Sequence, residues 1–453
     1  MTPRRRPALA AAGKKVQVTL LPVQGGARTV RAGGWMGSPT GGERTGFWSG
    51  KTLRGGLGAV SLGLPALPAG ETLAAAFPLG EQFALVAESG AVYRLAGGVL
   101  TAGSGGSFDG VPAHVYAETE DGAVLFLSDG MRVYSLSAEG LAAESAVPPF
   151  VCAAFYGERL WTAMRQNGGT VQYSAPFALR DFAKERGRGG EIAFAAEEGD
   201  VTAMCVWEDA LYLFRGGRVQ KLTALGDERD FRLREAFVSA DACPATVAAG
   251  DRIYWLGEDG VHAYDGSVHV LGEAGRFAGA AMQGARGAFA GGVYYLQARA
   301  RLFGKEEDCI AAFAGEECCL VPRSVRGLAS CRGQALLVYG GQACEPQVCG
   351  GGQAEGRAGA QRRGQFPDGF ARRTYVSEQF SAGSYACLQR VRVHARGRFL
   401  LTAESERGSR TVEVRGGRAA YPVGIAGECF RLRLSAEEEG EVYSLQAELE
   451  IRA

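Results

Sequence analysis

The sequence has little asparagine, isoleucine, lysine or histidine, and neither sign of charge is in excess. Among 453 residues there is a single Asn, Asn167, with 5 Ile, 6 Lys and 4 His. The 49 basic residues balance the 49 acidic ones, so the formal net charge is zero. This balance excludes the broad positive surface of a nucleic-acid-binding protein and the acidity of a solvating tail. We therefore predict no nucleic-acid partner.

Long hydrophobic runs are also absent. No segment approaches the roughly 18 consecutive apolar residues that cross a bilayer, so we predict no membrane insertion. The N-terminus, MTPRRRPALAAAGKKVQV, is basic, but its apolar stretch has only seven residues, so we expect no signal peptide and a flexible arm over residues 1–15. Hydrophobic residues make up 46% of the chain, which excludes general disorder and permits a large core.

The 11 cysteines lack the spacing of a disulfide scaffold or a zinc site. Cys318 and Cys319 are adjacent, and Cys344 and Cys349 lie five residues apart, which raises a metal or redox hypothesis. Neither pair has CxxC spacing, and no HxxxH motif occurs among His114, His262, His269 and His394. Ordinary reduced thiols are the favoured interpretation. We predict neither a metal nor a cofactor.

Catalytic motifs are missing or weak. No P-loop, Rossmann glycine motif or GxSxG elbow is present. Paired carboxylates of the kind that glycosidases use occur at Glu208–Asp209, Glu258–Asp259 and Glu316–Glu317, but two of these pairs flank turns, where solvated acidic residues are ordinary. Ser128–Asp129–Gly130 resembles the Asp-box turn of some sialidases, which is a structural turn. We predict that the protein is not an enzyme and assign no catalytic residue.

The most informative feature is a repeat of short apolar runs. Seven runs of four residues begin 41, 36, 51, 42, 40 and 42 residues apart, at Phe83–Val86, Val124–Leu127, Leu160–Ala163, Leu211–Phe214, Ile253–Leu256, Val293–Leu296 and Ala335–Val338. Each run is rich in aromatic and aliphatic residues and is too short for a helix. After six of the seven runs comes a glycine and then a second strand-like segment, such as Gly217–Leu222 or Gly260–Tyr264. The pattern predicts a repeated β-hairpin whose turns use glycine, because asparagine is almost absent.

A hairpin repeated about every 40 residues is typical of four-stranded propeller blades. We predict an all-β protein with a seven-bladed β-propeller over residues 16–350, in which residues 16–60 contribute closing strands. Six blades with a decorated loop is the alternative, because the seventh repeat runs into CEPQVCGGGQAEGRAGAQRRGQ. We interpret residues 351–370 as a Gly/Arg-rich linker or loop.

The pattern changes after residue 370. Strict alternation of apolar and polar residues, as in Arg390–His394, Thr411–Arg415 and Phe430–Leu434, is typical of half-buried antiparallel strands. Five or six such strands in residues 371–453 predict a small β-sandwich domain.

Two further groups of side chains are candidates for binding surfaces. Basic clusters at Arg4–Arg6, and at Gln361–Arg363 with Arg372 and Arg373, favour a solvated or protein-binding role over a phosphate-binding one, since they lack interleaved aromatics. The aromatic residues Trp161, Tyr254 and Trp255 would suit a carbohydrate platform, but the core between blades is the favoured location.

Residues 173–266 resemble a type of β-propeller protein found in the virions of tailed bacteriophages and in prophages. The matching elements are Tyr173–Pro176, Phe182, Gly199–Ala203, Leu211–Phe214, Cys243–Pro244, Ile253–Val261 and Tyr264–Gly266, and an early segment similar to Lys51–Gly55 precedes the first blade in that group. The Gly/Arg-rich segment after the seventh repeat departs from the pattern.

The resemblance implies a structural protein of the tail, hub or baseplate region, made in the bacterial cytoplasm and located in the virion. It further implies contacts with other virion or tail proteins, several copies around a symmetry axis and contact with the host surface, including a glycan there. It identifies no partner-binding residues. The alternative is a glycan-binding lectin or a degenerate glycosidase-like propeller. An intracellular propeller of WD or Kelch type is less favoured, because the Gly-His and Trp-Asp signatures are missing.

Overall fold

The computed structural model describes most of the chain. The described residues are 14–21, 42–45, 53–54, 56–348 and 365–451, apart from residues 166–167, 196, 198, 225, 227, 240–241, 272–273, 278–281, 283, 316, 371–372, 437 and 439. The predicted N-terminal arm, the clusters Arg4–Arg6 and Gln361–Arg363, and Asn167 lie outside these ranges, except for Lys14 and Lys15 of the arm.

The regular secondary structure of the described residues is almost entirely β-strand, as the alternating and short apolar patterns predict. The helical elements among them are three short 3-10 helices, Glu228–Asp230, Pro244–Thr246 and Ala274–Arg276. Within the described part of the chain, no helix has both the length and the apolar character needed to cross a membrane. The chain divides into two compact units, which are described separately below.

The first strands of the chain are four short segments. They are β1 (Lys14–Leu21), β2 (Gly42–Thr45), β3 (Leu53–Arg54) and β4 (Leu57–Ser61).

Seven four-stranded antiparallel sheets then form the blades of a β-propeller. Blade 1 contains β5 (Leu73–Leu79), β6 (Gln82–Ala87), β7 (Ala91–Ala96) and β8 (Val99–Ser107); blade 2 contains β9 (Ala113–Thr119), β10 (Gly122–Ser128), β11 (Val133–Ser137) and β12 (Gly140–Glu144); blade 3 contains β13 (Cys152–Tyr156), β14 (Arg159–Ala163), β15 (Thr170–Tyr173) and β16 (Gly190–Ala193); blade 4 contains β17 (Val201–Trp207), β18 (Ala210–Arg215), β19 (Arg218–Thr223) and β20 (Arg232–Val238). Blade 5 contains β21 (Ala248–Ala249), β22 (Ile253–Gly257), β23 (Gly260–Tyr264) and β24 (Val268–Val270); blade 6 contains β25 (Arg286–Ala290), β26 (Val293–Leu302), β27 (Lys305–Ala314) and β28 (Glu317–Val321); blade 7 contains β29 (Arg326–Cys331), β30 (Gln334–Tyr339), β31 (Gln342–Val348) and β4.

The seven-bladed prediction is confirmed, and the six-bladed alternative is wrong. Each of the seven apolar runs lies in the second strand of a blade, and the predicted glycine-led segments lie in the third strands. The seventh blade is complete because the segment that reads as a loop after Ala343 continues as β31, and because β4 supplies the fourth strand, with Val348 opposite Leu57. One terminal segment thus closes the ring.

Glycine supplies many of the tight turns, as predicted. Gly216 and Gly217 join β18 to β19 with positive φ angles of 39° and 79°, where glycine has no Cβ to clash with the backbone. The turn from β17 to β18 is different, because Glu208 and Asp209 adopt φ angles of 44° and 55°. Side-chain-bearing residues therefore also occupy left-handed turns in this propeller.

The propeller core lies between neighbouring blades. Trp161 of blade 3 packs in one buried cluster with Leu211 and Leu213 of blade 4. Trp255 of blade 5 belongs to a second cluster with blade 4, and Tyr254 belongs to a third cluster with blade 6. The apolar faces of each blade are thus covered by the next blade around the ring.

A short hairpin follows the last blade. Its strands are β32 (Gln365–Phe366) and β33 (Gly369–Phe370), which lie at the end of the predicted linker 351–370. Phe366 is buried against Tyr339, with ring centroids 5.2 Å apart, and the Tyr339 hydroxyl donates to Asp368 at 2.7 Å. This part of the predicted linker is therefore structured, whereas residues 349–364 lie outside the described ranges.

The second unit is a single nine-stranded sheet. Its C-terminal strands are β34 (Arg373–Ser377), β35 (Phe380–Arg396), β36 (Phe399–Ser405), β37 (Gly408–Val414), β38 (Gly417–Ala436) and β39 (Glu441–Ile451). The strand order is β1-β39-β35-β38-β34-β2, with β3 paired to β39, β36 paired to β38, and β37 paired to β36. Its buried core draws on both ends of the chain, for example Leu20, Val391, Leu432 and Leu445.

Two features of this unit differ from the sequence prediction. The predicted sandwich of two sheets is not confirmed, because β35 and β38, with 17 and 20 residues, hydrogen-bond along one continuous sheet. Strands β1, β2 and β3 also belong to this sheet, so among the described strands of the predicted closing segment 16–60 it is β4 that joins the propeller. Alternation within a strand specifies its buried face but not its partner.

Candidate functional site

The propeller contains a cavity of about 300 Å³ to which all seven blades contribute. The first strands of successive blades contact one another in the order β9, β13, β17, β21, β25, β29 and β5, so they surround the propeller axis. The lining residues include, in blade order, Phe77, His114, Cys152, Thr202, Val247, Arg286 and Leu328, of which Val247 directly precedes the first strand of blade 5. The cavity therefore lies at the axis, at the end where most of the first strands begin. We call it the central cavity.

Arg286, the first residue of β25, is the cation of the central cavity. Its side chain forms no hydrogen bond or ion pair with any of the described residues, and it is only partly exposed. Burial lowers the pKa of its guanidinium from the ordinary value. An arginine remains charged under these conditions, so an uncompensated positive charge faces the cavity.

The backbone beside Arg286 is tightly constrained. The Tyr294 hydroxyl donates to the Thr246 carbonyl at 2.8 Å, which ties blade 6 to blade 5. A Cβ atom on Gly287 would lie 2.3 Å from that same carbonyl, so only glycine fits between the two groups. This close approach fixes the start of β25 and therefore the position of Arg286.

His114 separates the central cavity from a second one. It lines both, and the second cavity, of about 360 Å³, is bounded by residues farther along the first strands, such as Phe289 and Arg332. The imidazole Nε2–H donates to the Ser330 carbonyl at 2.8 Å, since a carbonyl can only accept. Burial lowers the pKa of His114, the Ser330 contact opposes this, and the Arg286 charge lowers the pKa further. A neutral ring follows, whose Nδ1 has no partner within the described residues.

Two carboxylates stand at the same cavity, on the loops around blade 2. Desolvation raises the pKa of Asp129, but backbone N–H groups of Arg132, Met131 and Asp109 outweigh it, so the pKa lies below the ordinary value. These contacts measure 2.9, 2.8 and 3.1 Å. Asp129 is therefore an ionised turn residue, as the Asp-box interpretation predicts. The Asp109 carboxylate is exposed and has no partner among the described side chains and backbone groups.

The cysteines in this region are not activated. Burial raises the pKa of Cys152, which lines the central cavity, to about 12, and burial also raises that of Cys243. Both remain protonated thiols near neutral pH. Cys318 and Cys319 are buried on β28. The described residues contain no group of three or more His, Cys, Asp or Glu that could hold a metal ion.

The acidic pairs from the sequence are not brought together. Glu208–Asp209 and Glu258–Asp259 are exposed at turns of blades 4 and 5, and Glu317 begins the last strand of blade 6, while Glu316 is outside the described residues. Asp259 accepts a hydrogen bond from His262 at 2.6 Å. None of these residues lines the central cavity. The favoured interpretation as turn residues agrees with their positions in blades 4 and 5.

The aromatic candidates are core residues. Trp161 and Trp255 are fully buried, and Tyr254 is 1% exposed. The Trp161 indole donates to the Tyr156 carbonyl at 2.9 Å, and Tyr254 stacks on Tyr294 with centroids 4.9 Å apart. These rings cannot present a face to a carbohydrate, so the core interpretation is confirmed.

Arg373 was grouped with the basic clusters, and a solvated position for it is wrong. It is only 2% exposed, and its guanidinium donates to the Gly440 carbonyl at 3.3 Å within the nine-stranded sheet. Its neighbour Arg372 lies outside the described residues. Arg286, which lines the central cavity, is not among the residues that the sequence motifs mark.

Arg286 begins the first strand of blade 6, and Asp109 lies in the loop before the first strand of blade 2. The repeat in the sequence marks the apolar second strands, whereas the cavity is lined from the starts of the first strands and the loops before them. A signal was present: Arg286 lies seven residues before the run at Val293, at a position where Ala153, Met204 and Leu328 stand in blades 3, 4 and 7. A charged residue among apolar ones at a repeated position marks a site that faces the axis.

Comparison with known proteins adds only distant matches. No protein-family model matches the chain, and no curated protein does. Among solved structures, the WD40 domain of Pan2 from Neurospora crassa is 11% identical, with 68% of this chain and 98% of that chain covered and a TM-score of 0.40. The C-terminal WD40 domain of Sif2 is 10% identical, over 63% and 84% of the two chains, with a TM-score of 0.40. BamB from Moraxella catarrhalis is 13% identical, over 64% and 98%, with a TM-score of 0.35. The propeller assignment depends on the seven four-stranded sheets of the structure itself.

Proposed function

We propose that the protein is a non-enzymatic structural component of a phage or phage-like particle, a rigid propeller scaffold in the tail, hub or baseplate region. It assembles there with other virion or tail proteins, in several copies around a symmetry axis, and mediates assembly or contact with the host surface. The β-propeller itself is described above, and the location and the partners are what we propose.

The observation that supports it most directly is the structural role of the residues that resemble phage propeller proteins. In Tyr173–Pro176, the Ser174 hydroxyl accepts the Leu160 N–H at 2.9 Å, and the Ser174 carbonyl accepts from buried Arg159 at 2.8 Å. After Cys243–Pro244, the Thr246 hydroxyl binds the Cys243 carbonyl at 2.7 Å and the Leu256 N–H at 2.9 Å. Motif residues that fix backbone geometry favour a scaffold, because an enzyme motif would place reactive groups in a cleft.

Co-purification with particles tests the proposal. Particles from an induced lysogen, or from cells expressing the gene with its neighbouring open reading frames, are isolated on a density gradient and analysed by mass spectrometry. We expect this chain to sediment with tail proteins at a stoichiometry of several copies per particle. A chain found only as a soluble monomer with hydrolase activity would overturn the proposal. Neighbouring frames that encode tail-tube, tape-measure or portal proteins would support it.

The lectin or degenerate-glycosidase alternative has a separate test. Its predicted platform of Trp161, Tyr254 and Trp255 is buried, so a glycan would have to bind elsewhere. A glycan array with the full chain, combined with absence from purified particles, would favour this alternative. Binding to a host glycan together with presence in particles would instead assign the host-contact role within the proposed scaffold.

A further inference from the structure

The central cavity holds a charge that the described residues do not neutralise. A partly buried guanidinium without a hydrogen-bond acceptor loses hydration and gains nothing from the protein in return, which is costly. The buried arginines Arg159 and Arg215 show the usual solution, because both donate to backbone carbonyls, for example Arg215 to Gly199 at 2.7 Å. Arg286 lacks such acceptors although a tightly built backbone holds its position. Its geometry therefore suits an acceptor that comes from outside the chain.

The size of the cavity suits a small molecule as that acceptor. About 300 Å³ is at the lower end of the range for ligand pockets and holds a molecule of several heavy atoms rather than a polymer. Much of the remaining wall consists of small or apolar side chains such as Ala113, Ala153 and Leu328, which exclude water without competing for the charge. An anion at Arg286 would thus be bound in a setting where a charge-assisted hydrogen bond is strong.

The other charged groups of the cavity indicate which anion fits. Asp109 and Asp129 bring negative charge to the same space, and only Asp129 is compensated, by three backbone N–H groups. A doubly charged phosphate would be repelled by these carboxylates. A single carboxylate would be accepted by Arg286, and an ammonium group at the other end of the ligand would find the free Asp109 carboxylate and the unpartnered Nδ1 of neutral His114 as acceptors.

We propose that the central cavity binds a small zwitterion, of the chemical class of amino acids, with its carboxylate on Arg286 and its ammonium group toward Asp109. The site is independent of the proposed scaffold function. Particle incorporation and ligand binding are measured separately, so the failure of one leaves the other intact.

The first experiment is a binding series by saturation-transfer-difference NMR and calorimetry with the full chain. The probes are the ω-amino acids from glycine to 6-aminohexanoate, the matched carboxylates from acetate to hexanoate, and inorganic phosphate. We expect at least one ω-amino acid to bind more tightly than its matched carboxylate and than phosphate. Absence of binding by every ω-amino acid, or tighter binding of phosphate, would overturn the proposal.

The second experiment uses variants that change the guanidinium group with little change in side-chain volume. Arg286→Gln should weaken binding of the preferred ω-amino acid about tenfold or more, because it removes a charge-assisted hydrogen bond. Arg286→Lys keeps the positive charge and should retain part of the affinity. Arg301→Gln, an exposed position on β26 of the same blade, is the matched control and should bind as the unmodified protein does. Equal affinities for Arg286→Gln and the control would refute the assignment.

Asp109→Asn provides an independent readout if Arg286→Gln does not fold. Asp109 is an exposed loop residue, so this change should leave the thermal unfolding temperature nearly unaltered. We expect it to abolish the preference for the ω-amino acid over its matched carboxylate, while the plain carboxylate binds equally well or better. Retention of the preference in Asp109→Asn would show that the ammonium group lies elsewhere and would overturn the proposed orientation.

Discussion

The propeller and the nine-stranded sheet combine strands in opposite ways. In blades 1 to 6, strands that pair follow one another along the chain, so each sheet is assembled from a local segment. In the nine-stranded sheet, β1 pairs with β39, which places Val16 opposite Leu449. Blade 7 resembles the sheet unit in this respect, because its outer strand β4 comes from the other end of the propeller segment.

Blades 1 to 6 are therefore held by contacts that are local in sequence, whereas the nine-stranded sheet also depends on contacts between distant segments. A local hairpin closes a short loop at little entropic cost, whereas strands from opposite ends of a chain must be held by the contacts they make once they meet. We therefore expect damage at distant junctions to cost more stability than comparable damage at local turns. Two substitutions, each with a control, test and refine this expectation, beginning with the larger effect.

The junction of blades 7 and 1 should be the most sensitive point of the propeller. Gly327 in β29 has a φ of 60°, and a Cβ there would lie 2.1 Å from the carbonyl oxygen of Ala74. Ala74 lies in β5 of blade 1, which is next to blade 7 in the ring but distant in sequence. Gly327→Ala should lower the free energy of unfolding by about 4 kcal/mol, since both the backbone conformation and the packing oppose a side chain. Thermal unfolding and hydrogen exchange of peptides in blades 1 and 7 measure the effect.

Gly304→Ala is the local control for this substitution. Gly304 has a φ of 80° in the turn between β26 and β27, but a Cβ there meets open space. The cost should be only the backbone term, about 1 kcal/mol. If Gly304→Ala destabilised the protein as much as Gly327→Ala, the distinction between distant junctions and local turns would fail for the propeller.

The attachment of the N-terminal strand tests the sheet unit. Leu21 is fully buried opposite Leu445, so Leu21→Ala removes core contacts between segments from opposite ends of the chain. We expect a loss of about 3 kcal/mol, typical of a buried leucine truncation, visible as faster hydrogen exchange along β39. Leu233→Ala, at a 41% exposed position on β20, should change stability by no more than about 0.5 kcal/mol. Unchanged exchange of β39 in Leu21→Ala would indicate that β1 contributes nothing to the sheet.

The same contrast explains which parts of the fold were predictable from the sequence. The second and third strands of the blades form local hairpins with a repeated period, so Leu211–Phe214 and Gly217–Leu222 identify their own partners. The pairing of β1 with β39 leaves no such signal, because alternation in Val16–Leu20 fits many partners equally well. The closure of blade 7 by Leu57–Ser61 is intermediate in predictability. A closed ring requires a closing strand, but the ring itself does not specify which segment supplies that strand.

The candidate site was less predictable than the fold. Asp129 was found because its turn has a local sequence pattern, and its hydrogen bonds are all to nearby backbone groups. Arg286, His114 and Asp109 come from blade 6, blade 2 and the loop between blades 1 and 2, and they share a cavity only because the ring closes. A site assembled at the axis of a ring depends on every blade and is therefore not visible in any single repeat.

A pH-dependent effect is expected from His114 at the centre of the propeller. Its pKa is lowered in the folded protein, so the unfolded chain takes up a proton as the pH falls through about 6.5 while the folded chain resists it. Stability should therefore be unaffected by this residue above that pH and decrease below it. In His114→Gln, whose amide N–H still reaches toward the Ser330 carbonyl but does not titrate, this part of the decrease should vanish. Denaturant unfolding of both proteins at pH 8, 7, 6 and 5 measures it, with the difference at pH 8 giving the packing cost of the substitution alone. If stability decreased in parallel for the two proteins from pH 7 to pH 5, the fold would not be holding the His114 imidazole neutral.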